Sequence, residues 1–466
     1  MSPTLRALLP IALACPGLLL LPAGPAHAEF STDCPFGVNA HQASDAELEL
    51  AAAAGIGWVR MDFNWYTFEP SRGGYDWSIP DRFVAKADDL GLNVFASVGY
   101  TPSWAVSGSC DDSSSEESQW CRNGVPASTA YWTDFVTAAV NRYGGSIKHW
   151  GMWNEPNLEG FFRGSRDEYV DIILVPGSNA VHAACSDCLV LGPDLANLRG
   201  ATWDAEEGTC IAGECIFNGW EVSLTEILQD AGGSIDIVTH HNYEDPPSAL
   251  WAELADGEYL VIQFMHGLKE LTDAYAPGKP VWLTEFGYET TPGGDMTQSE
   301  AADALEESFE GLFDVQSGRS TWVSNQPWPE MEKLFWYDMT DDPNIYDWGE
   351  FTWGLLEADH TPKQAYYTYQ DVVNDYGGCW EEEVDDPPED TGEPDDDPPE
   401  DSDVPDDPPG DSEPPAQDSE SDSGVLEDKD PGDEGGFCGL RRGGSGAVAL
   451  GLLGLLGLMR RRQIAR

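Results

Sequence analysis

Between residues 29 and 380 short apolar runs alternate with amphipathic stretches, and this alternation restricts the chain to few folds. The runs are Phe36–Ala40, Ile56–Phe63, Leu92–Gly99, Ile147–Asn154, Leu189–Pro193, Ile235–Asn242, Pro280–Phe286 and Leu334–Asp338. Each has the length of a strand and the near-continuous apolar character that parallel strands show when both faces are covered. The intervening segments DAELELAAAAG, IPDRFVAKADDLG and STAYWTDFVTAAVNRYG begin with capping-type residues and stop at glycine, so they read as helices. Regular alternation of strand and helix implies parallel strands joined by helical crossovers. Eight such units in about 350 residues fit a (β/α)8 barrel with some long βα loops. A doubly wound open sheet is the alternative, but no Gly-rich phosphate loop follows the first run.

The ends of the chain have a different character. Residues 1–28 combine Arg6, an apolar run and the small-x-small end Ala26-His27-Ala28, the pattern of a secretory signal peptide, so the mature chain is expected to start near Glu29. Residues 381–434 are dense in Asp, Glu and Pro and too poor in apolar residues to fold, which makes them a stiff acidic spacer. Residues 435–466 place Cys438 ahead of a Gly- and Leu-rich apolar segment, Gly443 to Met459, and a trailing arginine cluster. This last arrangement resembles the tripartite C-terminal sorting tails of myxobacterial surface proteins; a plain membrane anchor is the other reading. Both make the protein exported, with a membrane or cell-surface tether.

Cys15 falls in the leader and Cys438 in the tail, which leaves eight cysteines for the folded part. Cys110 with Cys121, Cys185 with Cys188 and Cys210 with Cys215 form close pairs, and Cys34 and Cys379 would then join the two ends of the domain. In an exported chain an even count favours disulfides. A zinc site at Cys185-x-x-Cys188 is the rival, but no second CxxC or paired histidine follows at ligand spacing. The charge of −61 is not confined to the tail: residues 381–434 hold 26 acids and one Lys, and residues 29–380 still carry −43. Such a surface repels nucleic acid and anionic polymers. It is either an ordinary solvated acidic face or an adaptation to high salt, where screening removes self-repulsion.

In a barrel of this kind the chemistry lies at the C-terminal ends of the strands, so acids that end apolar runs stand out. Glu155 ends the fourth run in WNEPNLEGFF, and Glu285 ends the seventh in PVWLTEFGY. Across a narrow mouth they could reach the separation of about 5 Å that a retaining glycosidase pair requires, one protonated to donate and one ionised to attack. The bland alternative is a pair of salt-bridge partners at the barrel end.

WNEP at Trp153–Pro156 and TEFG at Thr284–Gly287 resemble the acid/base and nucleophile motifs of clan A glycoside hydrolases, and WNEPNLEGFF is similar to the family 39 form. WVRMDFNWYTFEPSRGGYDW, Trp58 to Trp77, resembles the second-strand segment of that clan. The resemblance covers most of residues 34 to 375. It implies Glu155 as acid/base, Glu285 as nucleophile and Asn154 as partner of the sugar 2-hydroxyl. It also aligns Arg60 with the arginine near the nucleophile, His241 and Tyr243 with a His-x-Tyr on strand six, and Trp336 with an aromatic floor of the sugar site. Arg60 and the Tyr243 hydroxyl would hold Glu285 ionised and oriented. TEFGYET lacks the tryptophan and asparagine that commonly follow the nucleophile in family 39 xylosidases, so family 5-like specificities stay open. Trp104, Phe161 and Phe162 lie on expected βα loops and could line subsites or simply pack.

These readings make the chain a monomeric retaining glycosidase acting on β-linkages in neutral poly- or oligosaccharides, with no metal or cofactor. The competing functions are an inactive surface carbohydrate-binding or adhesion protein on the same barrel, and a transglycosylase.

Overall fold

The structure, a computed structural model, describes residues 29–108, 110, 121–197, 209–211, 214–217, 219–243, 262–290, 296–317, 327–341 and 352–379. All eight apolar runs are strands of one closed barrel. They are β1 (Phe36–His41), β2 (Trp58–Asn64), β3 (Asn93–Gly99), β4 (His149–Met152), β5 (Leu189–Leu195), β6 (Ile237–His241), β7 (Val281–Phe286) and β8 (Met331–Trp336). Each pairs in parallel with its sequence neighbour, and β8 pairs with β1 to close the ring. A helix follows every strand: α1 (Asp45–Ala53), α2 (Ser78–Leu90), α3 (Thr129–Tyr143), α4 (Val175–Ala184), α5 (Trp220–Ala231), α6 (Ile262–Tyr275), α7 (Gln298–Ser317) and α8 (Gln364–Tyr376). This is a (β/α)8 TIM barrel.

Local chemistry sets the element ends. Ser44 forms a capping box with Glu47 at the start of α1, and the Ser128 side chain accepts from the Ala130 N–H at the start of α3. Gly91 closes α2 in the left-handed conformation at φ 67°, which costs glycine nothing. An antiparallel hairpin of residues 209–211 and 214–217 sits between β5 and α5 and puts Cys210 opposite Cys215. Disulfides join Cys34 to Cys379, Cys110 to Cys121 and Cys185 to Cys188. The Cys185–Cys188 bond removes the two thiolates that the zinc reading needed. The side chains of Cys210 and Cys215 lie outside the described residues, as do residues 1–28, 381–434 and 435–466. Among the described residues no helix is long and apolar enough to cross a membrane.

Along β2 the sequence WVRMDFN alternates across the barrel wall, as a pleated strand must. Val59, Met61 and Phe63 are fully buried between sheet and helices, while Trp58, Arg60 and Asp62 climb the interior toward the mouth. The lower interior is aromatic. Trp58 meets Trp282 at 5.0 Å, His149 at 4.7 Å and Phe335 at 6.5 Å between ring centroids. Glycines make room for this layer: a Cβ on Gly151 would lie 2.6 Å from the Phe95 ring. Lys333 plugs the bottom, with Nζ donating to the Thr32 and Cys34 carbonyls and lying 4.9 and 5.0 Å from the Trp58 and Trp282 ring centroids.

Every strand shifts by one or more residues from its sequence reading, and the fourth and eighth shift most. The fourth ends at Met152, not Asn154, because Trp153 and Glu155 take positive φ (80° and 41°), which no strand accommodates. The eighth begins at Met331, where pairing to Val281 already holds it, and ends at Trp336.

Candidate active site

The mouth of the barrel is irregular in a systematic way. The register slips between Asn39 and His41, Pro193 and Leu195, His240 and His241, and Leu334 and Trp336, all at the C-terminal ends of strands. Bulges at barrel rims re-aim side chains. At β7 the slip lets His240 pair with Leu283 while His241 pairs with Glu285, so Thr284 is the extra residue. Positive φ clusters in the same region, at His41, Tyr100, Trp153, Glu155 and Asp194. For non-glycine residues this conformation costs of order 1–3 kcal/mol each and persists where surrounding bonds over-determine it.

Those bonds are visible around Glu155. Its N–H donates to the Asp194 carbonyl at 3.0 Å. Two residues on, Asn157 exchanges a pair of hydrogen bonds with the Ala196 backbone, at 2.8 and 2.9 Å. The WNEPN segment is thus stitched to the end of β5. Glu155 stands three residues beyond its strand, in a loop that β5 holds in place.

Arg60, 2% exposed, is the hub beneath. Its Nη1 donates to Glu285 Oε1 at 2.6 Å and Asn39 Oδ1 at 2.9 Å, and its Nη2 to Asn154 Oδ1 at 2.7 Å and Ser97 Oγ at 3.3 Å. Asp194 Oδ2 lies 3.5 Å from Nη2. One guanidinium therefore ties together side chains from five strands or strand ends. The Tyr243 hydroxyl donates to the other oxygen of Glu285, Oε2, at 2.6 Å. Burial, with the Glu285 charge beside it, pushes Tyr243 well above the usual phenol range, so it keeps the proton it donates.

His241, fully buried, bridges the two glutamates. Its Nδ1 is 2.9 Å from Glu155 Oε1 and 3.4 Å from Glu285 Oε2, and its Nε2 is 3.6 Å from Asp194 Oδ1. Burial alone would make the imidazole less basic. The Glu285 charge, with Asp194 and Glu155, outweighs it and carries His241 up to about 9. Glu155 moves upward too, driven by burial and opposed by the histidine. One oxygen of each glutamate and one ring nitrogen of His241 lie within 4.8 Å of one another. Arg60 already supplies the positive charge that a metal ion would bring to such a group.

The structure gathers Glu155, Glu285, Asn154, Arg60, His241 and Tyr243 into one connected group. Trp336, Trp104 and Phe162 lie elsewhere. Trp336 does not form a floor beside Glu285: it packs against Phe286 and Tyr288, and Phe286 in turn faces Phe309 of α7, on the helix side of the wall. Trp104 stands among Trp65 and Tyr131 with its Nε1 donating to the Glu69 carbonyl, and no hydrogen bond joins it to the group among the described residues. Phe162 is core, packed on Trp153 and Tyr169.

Sequence reasoning missed several residues around this group. Tyr337, next to Trp336, forms an aromatic group with Tyr243, Trp353 and His41. His41 bonds Asp62 at 3.0 Å and reaches Asp338 at 3.7 Å. Asp194, fully buried, accepts from the Thr284 hydroxyl at 2.6 Å. The signal for Asp194 was available: an acid directly after the apolar run Leu189–Pro193 meets the same criterion as Glu155 and Glu285.

No family model matches the chain, and no curated protein matches it. Among solved structures it is similar to GH5_18 from Streptomyces cattleya in complex with GlcNAc, with 18% identity over 75% of this chain and 81% of that chain and a TM-score of 0.52. It is also similar to the GH39 enzyme from Xanthomonas axonopodis pv. citri, with 19% identity over 75% and 68% and a TM-score of 0.51. A family 39 glycoside hydrolase from the gut symbiont Bacteroides cellulosilyticus WH2 shares 20% identity over 72% of this chain at a TM-score of 0.49; this chain spans 63% of its length. At such identities the likeness concerns the fold.

Proposed function

We propose that the protein is a retaining glycoside hydrolase that cleaves β-linkages in neutral poly- or oligosaccharides. One observation carries this reading: two glutamates approach within 4.8 Å at the barrel mouth and stand in opposite environments. Glu285 receives two charge-stabilising hydrogen bonds, from Arg60 and Tyr243. Glu155 is buried and biased toward its protonated form. A separation of about 5 Å leaves no room for a water between carboxylate and sugar, so the ionised group attacks the anomeric carbon directly.

In this mechanism Glu285 forms a bond to the anomeric carbon as the glycosidic C–O bond breaks, and Glu155 gives its proton to the leaving oxygen. Glu155, now ionised, takes a proton from water, which displaces Glu285 and regenerates both groups. With its Oδ1 turned to Arg60, Asn154 presents its amide N–H groups to the sugar, where they meet a 2-hydroxyl. Tyr243, Tyr337 and Trp353 supply aromatic surface for the ring. The likeness to GH39 and GH5 structures supports the fold that such a site needs. The leader and tail read from the sequence support export and a surface tether.

Two variants test the assignment on an activated aryl β-glycoside. Glu285→Ala is expected to lose hydrolysis by at least about a thousandfold and to regain turnover with azide as an inverted glycosyl azide. Glu155→Ala should keep slow turnover, which azide accelerates with retention. Near wild-type turnover in either variant refutes the roles.

A further inference from the structure

Asp194 is fully buried and has φ +50°. It faces the groups that hold the two glutamates. Its Oδ2 is 3.5 Å from Arg60 Nη2, and its Oδ1 is 3.6 Å from His241 Nε2 and accepts from Thr284 Oγ1 at 2.6 Å. Its N–H donates to Thr239 Oγ1 at 3.1 Å, and its carbonyl accepts the Glu155 N–H. Among the described residues Oδ2 has no hydrogen-bond partner, and neither does His241 Nε2, so charge attraction binds them into the cluster.

A buried cluster approaches neutrality because each uncompensated charge in low dielectric costs several kcal/mol. Arg60 and His241 bring two positive charges; Asp194 and Glu285 bring two negative ones. The remaining carboxyl, Glu155, is then neutral when protonated. The neighbouring His41 pairs with Asp62 and reaches Asp338, outside this cluster.

We propose that Asp194 is a positioning residue of this site: it keeps His241 cationic beside Glu155, and the resulting charge balance assigns the catalytic proton to Glu155. This inference rests on the hydrolase reading for its consequence, but not for its electrostatics. The groups that face this pair are Arg60 from β2, Glu155 from the β4 loop, Tyr169 before α4, His240 from β6, Tyr243 beyond it, and Glu285 from β7. His240 lies deep behind the wall against Trp220 and is held neutral, chiefly by burial, down to about 3. Asp194 itself stays well below the usual carboxylate range: burial opposes this, but Arg60 first and then His241 and Thr284 outweigh it.

Asp194→Asn removes one negative charge at constant shape. Any proton of the cluster then leaves more readily, so the alkaline limb of kcat/KM on an aryl β-glycoside should move down by about one pH unit or more. KM should change little, because Asp194 is fully buried and faces Arg60, His241 and Thr284. Ring 15N shifts, assigned with His241→Gln, report His241 directly and need no turnover. Wild-type His241 should be cationic at neutral pH, and its midpoint should fall in Asp194→Asn. A neutral His241 in the wild-type protein refutes the proposal even if the variant does not fold. So does a folded variant with an unmoved midpoint and alkaline limb, whatever its loss of kcat. If the wild-type protein cleaves no aryl glycoside, the hydrolase reading falls while the histidine titration still decides the role of Asp194.

Discussion

Tyr243 and Arg60 hold opposite oxygens of Glu285 at 2.6 Å, and the two contacts differ in what they contribute. Arg60 is also bonded to Asn39, Ser97 and Asn154, so its loss would disturb the whole mouth. Tyr243 is the cleaner probe. Tyr243→Phe removes one charge-assisted hydrogen bond worth about 1.5–3 kcal/mol, and kcat/KM is expected to drop roughly tenfold to a hundredfold. Its unfolding midpoint should fall only modestly, since Arg60 still holds the Glu285 carboxylate and the ring contacts with Tyr337 and Trp353 survive. An unchanged kcat/KM would mean that the hydroxyl does not act on the reacting carboxylate.

At the level of the element, β4 shows how packing beneath a site sets the geometry above it. Gly151 lets the Phe95 ring lie against the strand, and Arg60 Cζ sits 5.4 Å from the centroid of that ring. Gly151→Ala would force the ring aside or push β4 outward, and overpacking of this kind costs about 1–3 kcal/mol. Urea unfolding should register that loss, together with reduced turnover because Asn154 and Glu155 follow on the same segment. Gly145, with open space around its Cβ position, is the matched control and should tolerate alanine. Equal stability of the two variants would show that the close approach is relieved at no cost. The sequence revealed that a fourth strand exists but not where it ends, because apolar character continues through Trp153 while the backbone has already turned.

At the level of the whole molecule, four histidines of the barrel divide into two opposed pairs. His149 and His240 are driven down to about 3, by burial above all. His41 and His241 are carried up to about 9, where Asp62 and Glu285 respectively lead the charges that outweigh burial. A raised pair contributes stability that is complete below the unfolded value near 6.5 and is lost as pH climbs toward 9. A lowered pair penalises folding increasingly below 6.5. Stability should therefore peak near pH 6.5 and fall on the alkaline side by roughly 2–3 kcal/mol per unit, about 1.4 from each raised histidine, with Lys333, lowered to about 8 by burial, offsetting part of the loss above that. Urea midpoints between pH 5 and 9 measure this. A midpoint that rises steadily through pH 8 would contradict the charged state of the raised pair.

The sequence by itself determined the barrel, since strand and helix periods are local and eight repeats of them leave few ways to cover both faces of a parallel sheet. It also marked Glu155 and Glu285, because an acid that closes an apolar run is conspicuous at any distance from its partner. The resemblance also pointed to Arg60 and Tyr243 beside Glu285, while the remaining neighbours of the two acids came only from the closed barrel. Trp336 and Tyr337 differ by one position, and in a strand one position is the difference between the helix side and the mouth. Asp194 looked like a strand-ending acid among others in a chain of net charge −61. Its importance comes from a bulge, a positive φ and the meeting of Arg60, Thr284 and His241 around it, three residues that lie far apart in the chain.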